Sequence, residues 1–362
     1  MAKIFYNIKR IKGVDAQFKI LLGGRNIGKS YAVKHDVLKE CYKRGIEFVY
    51  LRRWDEDIKT KYAEQYFTDV DVKGITDGKF TDIYIWQGKI YFANYDEKGK
   101  VSEKMLIGYS HSLNQSERYK SQIFPKVTYI IFEEFITDRI YLQNEPNTLQ
   151  EYVSTIFRTR TGVVYLVGNT ISKLCPYFNE WKLEKVERMK THEINVFENE
   201  TVVVLDNETT NVVVRVAVEM CGAESILSKM AFGDSANMII KNTWRSKTMP
   251  ILDKKTLEES EEVYSMYVTA DNLKFKMTLL VHDNRPFWYV VPQTKELRYP
   301  ERERMVTDEV SMYPLHTCTF APLNERETYA FGLILQKKIY YCSNACGSDF
   351  EQVLKKYHMV KL

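Results

Sequence analysis

Short apolar runs alternate with longer stretches of mixed polarity along the first half of this chain, the rhythm of strands alternating with helices. Phe18-Lys19-Ile20-Leu21-Leu22 predicts a buried strand, and Ser30 to Lys43, free of Gly and Pro, predicts a helix. Ile46 to Leu51 predicts a second strand, and strand–helix–strand order implies parallel pairing. Residues 58 to 68 look helical. Ile83 to Trp86 and Ile90 to Ala93 flank Gln87-Gly88-Lys89 and read as a hairpin. Lys104 to Tyr109 reads as a short strand, Ser110 to Pro125 as a loop or short helix, and Val127 to Phe135 as a strand. Leu149 to Phe157 reads as a helix leading to the strand Val163 to Val167.

The texture changes from Thr191 onward. Val202 to Leu205 and Val212 to Val218 suggest a β pair, and Ala223 to Met230 a helix. Strands then follow at Val263 to Val268, Phe275 to Val281, Trp288 to Val291, Tyr329 to Leu335 and Ile339 to Cys342, with a last helix from Asp349 to Tyr357. The fold class expected is α/β: a first domain with a mainly parallel sheet (residues 1–198), a small linker or lid subdomain (199–257) and an α+β C-terminal domain (258–362).

Between the first strand and its helix lies Gly23-Gly24-Arg25-Asn26-Ile27-Gly28-Lys29-Ser30, which fits the phosphate-loop template G-x-x-x-x-G-K-[ST] without a mismatch. Gly23, Gly24 and Gly28 let the backbone turn so that successive N–H groups face one anion, and the helix adds its positive end. Lys29 is expected to neutralise the β- and γ-phosphates of ATP, and Ser30 to ligate Mg²⁺. The nucleotide-binding set is Gly23 through Tyr31.

The strand from Val127 runs into Glu133-Glu134, a Walker B pattern that puts two carboxylates at the ligand edge. Glu133 is the expected metal-side acid and Glu134 the acid that orients and polarises the attacking water. Asn169, just past the strand from Val163, sits at a sensor position. Arg52 and Arg53 also end a strand. They could contact phosphate, couple the nucleotide to a polymer, or pair with Asp55 and Glu56. Arg158 and Arg160 lie at the other end of their strand, where an Arg reaches a neighbouring subunit's site more readily than its own, or is simply a surface charge.

A net charge of +4 permits nucleic-acid contact without demanding it. Hydrophobic content of 44% is ordinary for a globular chain, and no apolar run approaches membrane-spanning length or a secretory signal. The six scattered Cys suggest free thiols in a reducing compartment, and Cys342 with Cys346 has no second ligand pair nearby.

Together these residues resemble the DNA-packaging (encapsidation) ATPases of small tailed phages with protein-primed linear genomes. The stretches that carry the likeness are Gly23 to Tyr31, Tyr50 to Arg53, Gln115-Ser116-Glu117, Ile130 to Ile136, Thr155 to Arg160 and Asn169 to Phe178. The resemblance implies an additional-strand P-loop fold and a homopentameric ring at the portal vertex of a procapsid. It further implies ATP-driven translocation of double-stranded DNA in the host cytoplasm, possible dependence on a packaging RNA, and no membrane. Carried over by position, Arg158 looks like a finger acting in trans and Lys120 like a second cation acting across the subunit boundary. Arg25 is similar to the Arg within terminase phosphate loops. Glu133 stands where the family commonly has Asp. The C-terminal domain is implied to be RNase H-like, but Asp271, Asp283 and Asp349 have no telling neighbours, so gripping of DNA, portal or RNA is expected instead of nuclease activity. Lys274, Lys276, Arg285, Lys337 and Lys338 are candidate phosphate contacts. The other readings are a helicase or DNA-transfer ATPase, and a non-catalytic nucleotide-binding assembly module.

Overall fold

The computed structural model describes residues 6–137, 140–205, 208–222, 244, 248–271 and 273–359. They form two compact units. One holds the described residues up to Thr170 and from Glu180 to Gly222; the other holds Ile171–Asn179 and the described residues from Trp244 on.

The first unit is built on a nine-stranded sheet. Its strands are β1 (Phe18–Leu22), β2 (Glu47–Arg52), β3 (Asp82–Trp86), β4 (Lys89–Tyr95), β5 (Val101–Ser112), β6 (Val127–Glu133), β7 (Val163–Val167), β8 (Ile194–Leu205) and β9 (Glu208–Met220). They lie in the order β3-β4-β5-β2-β6-β7-β1-β9-β8. From β5 to β9 the neighbours pair in parallel. Parallel pairing brings the carboxyl ends of β1, β2, β6 and β7 to one edge. β7 stands between β1 and β6, so the chain's two acids are separated from the phosphate loop by one strand and not by sequence distance.

Helix α1 (Lys29–Arg44) leaves the loop and buries Val33, Val37, Leu38 and Cys41, one stripe at helical spacing. Gly45 ends it in the left-handed region at φ 63°, with its N–H on the Cys41 carbonyl. Helix α2 (Thr60–Phe67) follows β2, and α3 (Glu145–Phe157), with Pro146 in its first turn, precedes β7. All five β1 residues are buried, as expected of a strand covered on both faces.

Three expectations change in this unit. β5 is twice the length read from the sequence: it starts three residues earlier, through the exposed polar Ser102 and Glu103, and ends three later, through the buried polar Ser110, His111 and Ser112, and neither end carries an apolar strand signal. It ends in a 3₁₀ turn, Leu113–Tyr119, so the segment from Ser110 is partly strand. A domain border at 199 falls inside β8, because β9 pairs with β1 from Phe18↔Val216 to Leu22↔Met220 and carries β8 into the sheet as its antiparallel partner. The backbone groups along the open side of β1 need a ladder partner, and the buried run Val216–Met220 supplies it. The expected helix at 223–230 lies outside the described residues.

The second unit has a six-stranded sheet in the order β14-β13-β10-β11-β12-β15. Here β10 (Glu261–Ala270), β11 (Leu273–His282) and β12 (Arg285–Pro292) form an antiparallel meander. The short strands β13 (Met305–Val306), β14 (His316–Thr317) and β15 (Ile339–Tyr341) pair in parallel. Its core gathers Met266, Val268, Phe275, Met277, Trp288 and Val290 against Phe331, Ile334, Phe350 and Val353.

The stretch Tyr329–Leu335, read as a strand, is the second half of helix α4 (Glu325–Leu335). Asn324 caps it by accepting the Glu327 N–H at 2.9 Å, and Glu327, Ala330, Phe331 and Ile334 are buried at helical spacing. Glu327, buried in the first turn ahead of the apolar run, is neutralised by Arg304 at 3.0 Å. The last helix, α5 (Asn344–Lys356), begins five residues earlier than expected because Ser343 caps it.

Candidate nucleotide site at the sheet edge

The phosphate loop leaves β1 with Gly23 at φ 152° and Gly28 at φ 90°, two positions that favour glycine, while Asn26 adopts φ 63°. Its backbone is held by neighbouring elements: Thr170 donates to the Gly23 carbonyl at 3.2 Å and Tyr6 to the Ile27 carbonyl at 3.0 Å. The Lys29 ammonium is 5% exposed and donates to the carbonyls of Gly23 (3.2 Å) and Gly24 (2.6 Å) and to Asn169 Oδ1 (3.2 Å). Burial lowers its pKa to about 8. Arg25 and Asn26 face solvent at the tip of the loop. Tyr31 is exposed and stacks on His35 at 5.7 Å.

Ser30 Oγ donates to Glu133 Oε2 at 3.0 Å, and the Tyr66 hydroxyl donates to Glu133 Oε1 at 2.8 Å. Burial pushes the Glu133 pKa up, and the two hydroxyl hydrogen bonds oppose that rise. A hydroxyl and a carboxylate meeting at the mouth of a phosphate loop are a hard-oxygen donor pair, the chemistry Mg²⁺ takes. Glu133 is the last residue of β6 and pairs with Val167.

Glu134 follows immediately at φ 56°, a left-handed position that costs a non-glycine residue roughly 1–2 kcal/mol. Its N–H is bonded to the Val167 carbonyl at 2.9 Å. The turn throws its side chain away from Glu133 and into solvent, where it is 62% exposed and accepts from Arg52 Nη2 at 2.7 Å. Two adjacent acids thereby face different surroundings, one dry and one wet.

Arg52 and Arg53 take the ion-pair option, though not with the partners expected. Arg52 bonds Glu134 and, at 3.4 Å, Asp57. Arg53 is buried in a bidentate pair with Glu145 (2.7 and 2.9 Å) and also donates to the carbonyls of Glu134 (3.2 Å) and Phe135 (2.6 Å). It thus fixes the backbone on which Glu134 sits. Sequence reading missed Tyr66 and Glu145 here: it offered Arg53 the nearby Asp55 and Glu56, and nothing in the local pattern pointed to an acid 92 residues away.

Arg158 and Lys120 lie away from this edge. Arg158 ends α3 at φ 51° and donates to the Gln122 carbonyl at 3.1 Å, in the segment that leads into β6. Lys120 pairs with Glu117 at 2.6 Å and approaches Glu151 of α3 at 3.9 Å. Both are exposed. Arg160 differs: its guanidinium is spent on four carbonyls, those of Phe124, Pro125, Val127 and Ile156. The structure therefore gathers Lys29, Ser30, Glu133, Glu134 and Asn169 at one sheet edge and leaves Arg158 and Lys120 outside that group.

In the second unit, Asp271 and Asp308 both bond Lys356, Asp349 bonds Lys173 at 2.7 Å, and Asp283 lies beside His282. Among the described residues no three His, Cys, Asp or Glu gather in a metal-binding group, and no helix is long and apolar enough to cross a membrane.

The chain is 32% identical to a DNA packaging protein of Bacillus phage B103 over 172 residues, 45% of this chain and 47% of that one. It is 30% identical to the DNA packaging protein of Bacillus phage phi29 over 179 residues, 48% of this chain and 49% of that one. The match thus spans about half the length of these curated relatives. The bacteriophage Phi-29 viral genome packaging motor assembly contains a chain of the same fold: TM-score 0.56, 18% identity, covering 98% of this chain and 99% of that one. Residues 1–309 match the family described as podovirus DNA encapsidation protein (Gp16). With most of its length inside that match, and with the phosphate loop and paired acids assembled at one sheet edge, this chain belongs to the podovirus DNA encapsidation protein family.

Proposed function

We propose that this chain is the ATP-hydrolysing subunit of a ring motor that drives double-stranded DNA into a preformed phage procapsid. The observation that carries the reading is the 3.0 Å contact of Ser30 with Glu133 beside the Lys29–Asn169 contact, four residues from three segments converging where a triphosphate would lie. Lys29 neutralises phosphate oxygens, and the loop N–H groups of Gly23 to Ser30 cradle them. Ser30 and Glu133 would hold Mg²⁺, which supplies charge neutralisation at the transferring phosphoryl group. Glu134 orients a water and draws its proton, with Asn169 as the hydrogen-bonding sensor. Tyr31 and Arg25 complete the nucleotide contacts.

Arg158 and Lys120 serve a neighbouring subunit's site, which makes the working unit a homo-oligomeric ring, in our reading a pentamer seated at the portal. The second unit is read as an RNase H-like domain that grips DNA, portal or packaging RNA. Asp271 and Asp349 are engaged by lysines and Asp283 lies beside His282, which favours gripping over cleavage. Lys274, Lys276, Arg285, Lys337 and Lys338 supply phosphate contacts. The test is ATPase rate with purified procapsids, with and without double-stranded DNA. Stimulation by both together supports the motor; a rate indifferent to either contradicts it.

A further inference from the structure

We infer that Tyr66 is a positioning residue whose hydroxyl sets the carboxylate of Glu133 for its metal-side role. The inference rests on the ATPase reading above. Glu133 is held from both sides, Oε2 by Ser30 at 3.0 Å and Oε1 by Tyr66 at 2.8 Å. A glutamate has one more torsion than an aspartate, and a carboxylate tied at one oxygen alone can still swing about it. Two donors on two oxygens remove that freedom.

Tyr66 is itself immobilised. Its ring stacks on Tyr50 of β2 at 4.3 Å and 19°, and meets Phe67 edge-on at 4.9 Å. The buried Lys34 ammonium lies 4.4 Å from the ring centroid and donates to the Tyr66 carbonyl and to Asp69. Lys34 is on α1, one turn beyond Ser30. One helix therefore carries both the hydroxyl on Oε2 and the ammonium that fixes the donor on Oε1. β6 is locked in its own register, Glu133 opposite Val167. From that anchored backbone only a side chain of glutamate length spans both donors. An aspartate falls short by one C–C bond, about 1.5 Å.

The test is titration of Mn²⁺ into the full chain with a non-hydrolysable ATP analogue, read by electron paramagnetic resonance, with analogue affinity in EDTA measured alongside. Tyr66→Phe, which keeps the ring and its stacking, should weaken Mn²⁺ about tenfold or more while leaving metal-free analogue affinity unchanged. Glu133→Asp should lose a similar factor. Combining the two should add little, because the shorter acid has already left the hydroxyl. Mn²⁺ held by Tyr66→Phe as tightly as by wild type overturns the inference, and so do losses that multiply in the double variant. A wild-type chain whose analogue binding is not tightened by Mn²⁺ fails the ATPase reading instead.

Discussion

Arg52 Nη2 meets Glu134 Oε2 at 2.7 Å, joining the residue that ends β2 to the residue that follows β6. Glu134 is 62% exposed, so water screens the pair and it contributes no more than about 1 kcal/mol. A contact that weak can aim a side chain yet let it go. Arg52→Ala should lower ATP turnover about tenfold with little change in nucleotide affinity. Glu134→Gln should bind ATP and lose turnover by 10³-fold or so, in line with losing a general base. Rates and fluorescent-nucleotide affinities measured on both variants check this; normal turnover in Glu134→Gln removes Glu134 from the mechanism.

The neighbouring Arg behaves in the opposite way. Arg53 and Glu145 are both buried and bonded twice, so removing one charge strands the other. Arg53→Ala should destabilise the first unit by about 3–5 kcal/mol, whereas Arg53→Met with Glu145→Leu should cost much less. Denaturant melts of the two variants separate these outcomes.

The two arginines after α3 should also part company. Arg160 closes four backbone carbonyls, and Arg160→Ala leaves them short of donors, so the thermal midpoint should fall by several degrees. Arg158 is exposed with one carbonyl contact, and Arg158→Ala should melt like wild type. Its effect should appear only between subunits. Mixing Arg158→Ala with Glu134→Gln chains should restore hydrolysis at some interfaces, and no recovery at any ratio argues against shared sites.

His111 sits on β5 with Nδ1 at 2.6 Å from the Tyr152 hydroxyl and its ring stacked on Tyr119 at 3.8 Å. Burial lowers its pKa to about 3. An unfolded histidine takes up its proton near pH 6.5, so between those values the unfolded chain binds more protons than the folded one. Stability should therefore fall with decreasing pH below 6.5, at up to about 1.4 kcal/mol per unit from this group. Melting His111→Gln and wild type from pH 7 to 4.5 should show a shallower slope in the variant.

The chain's local chemistry was enough to place the phosphate loop, α1, β1, β2, β6 and β7, because each is a short apolar or helical run bounded by glycine or charge. Those signals act within a few residues, and burial on both faces makes parallel strands read plainly. Residue order alone also put Lys29, Ser30, Glu133, Glu134 and Asn169 at strand ends, hence on one edge. It did not say who touches whom. Tyr66 reaching Glu133, Arg53 reaching Glu145 and β9 closing the side of β1 join segments 67, 92 and 198 residues apart. Such pairings are chosen by register and by the cost of leaving a charge or a ladder group unpaired, which exist only once the sheet is assembled. The stretch Tyr329–Leu335 makes the same case from the other side: an apolar run is silent about its period, and it is packing in the assembled core that takes Ala330, Phe331 and Ile334 at helical spacing.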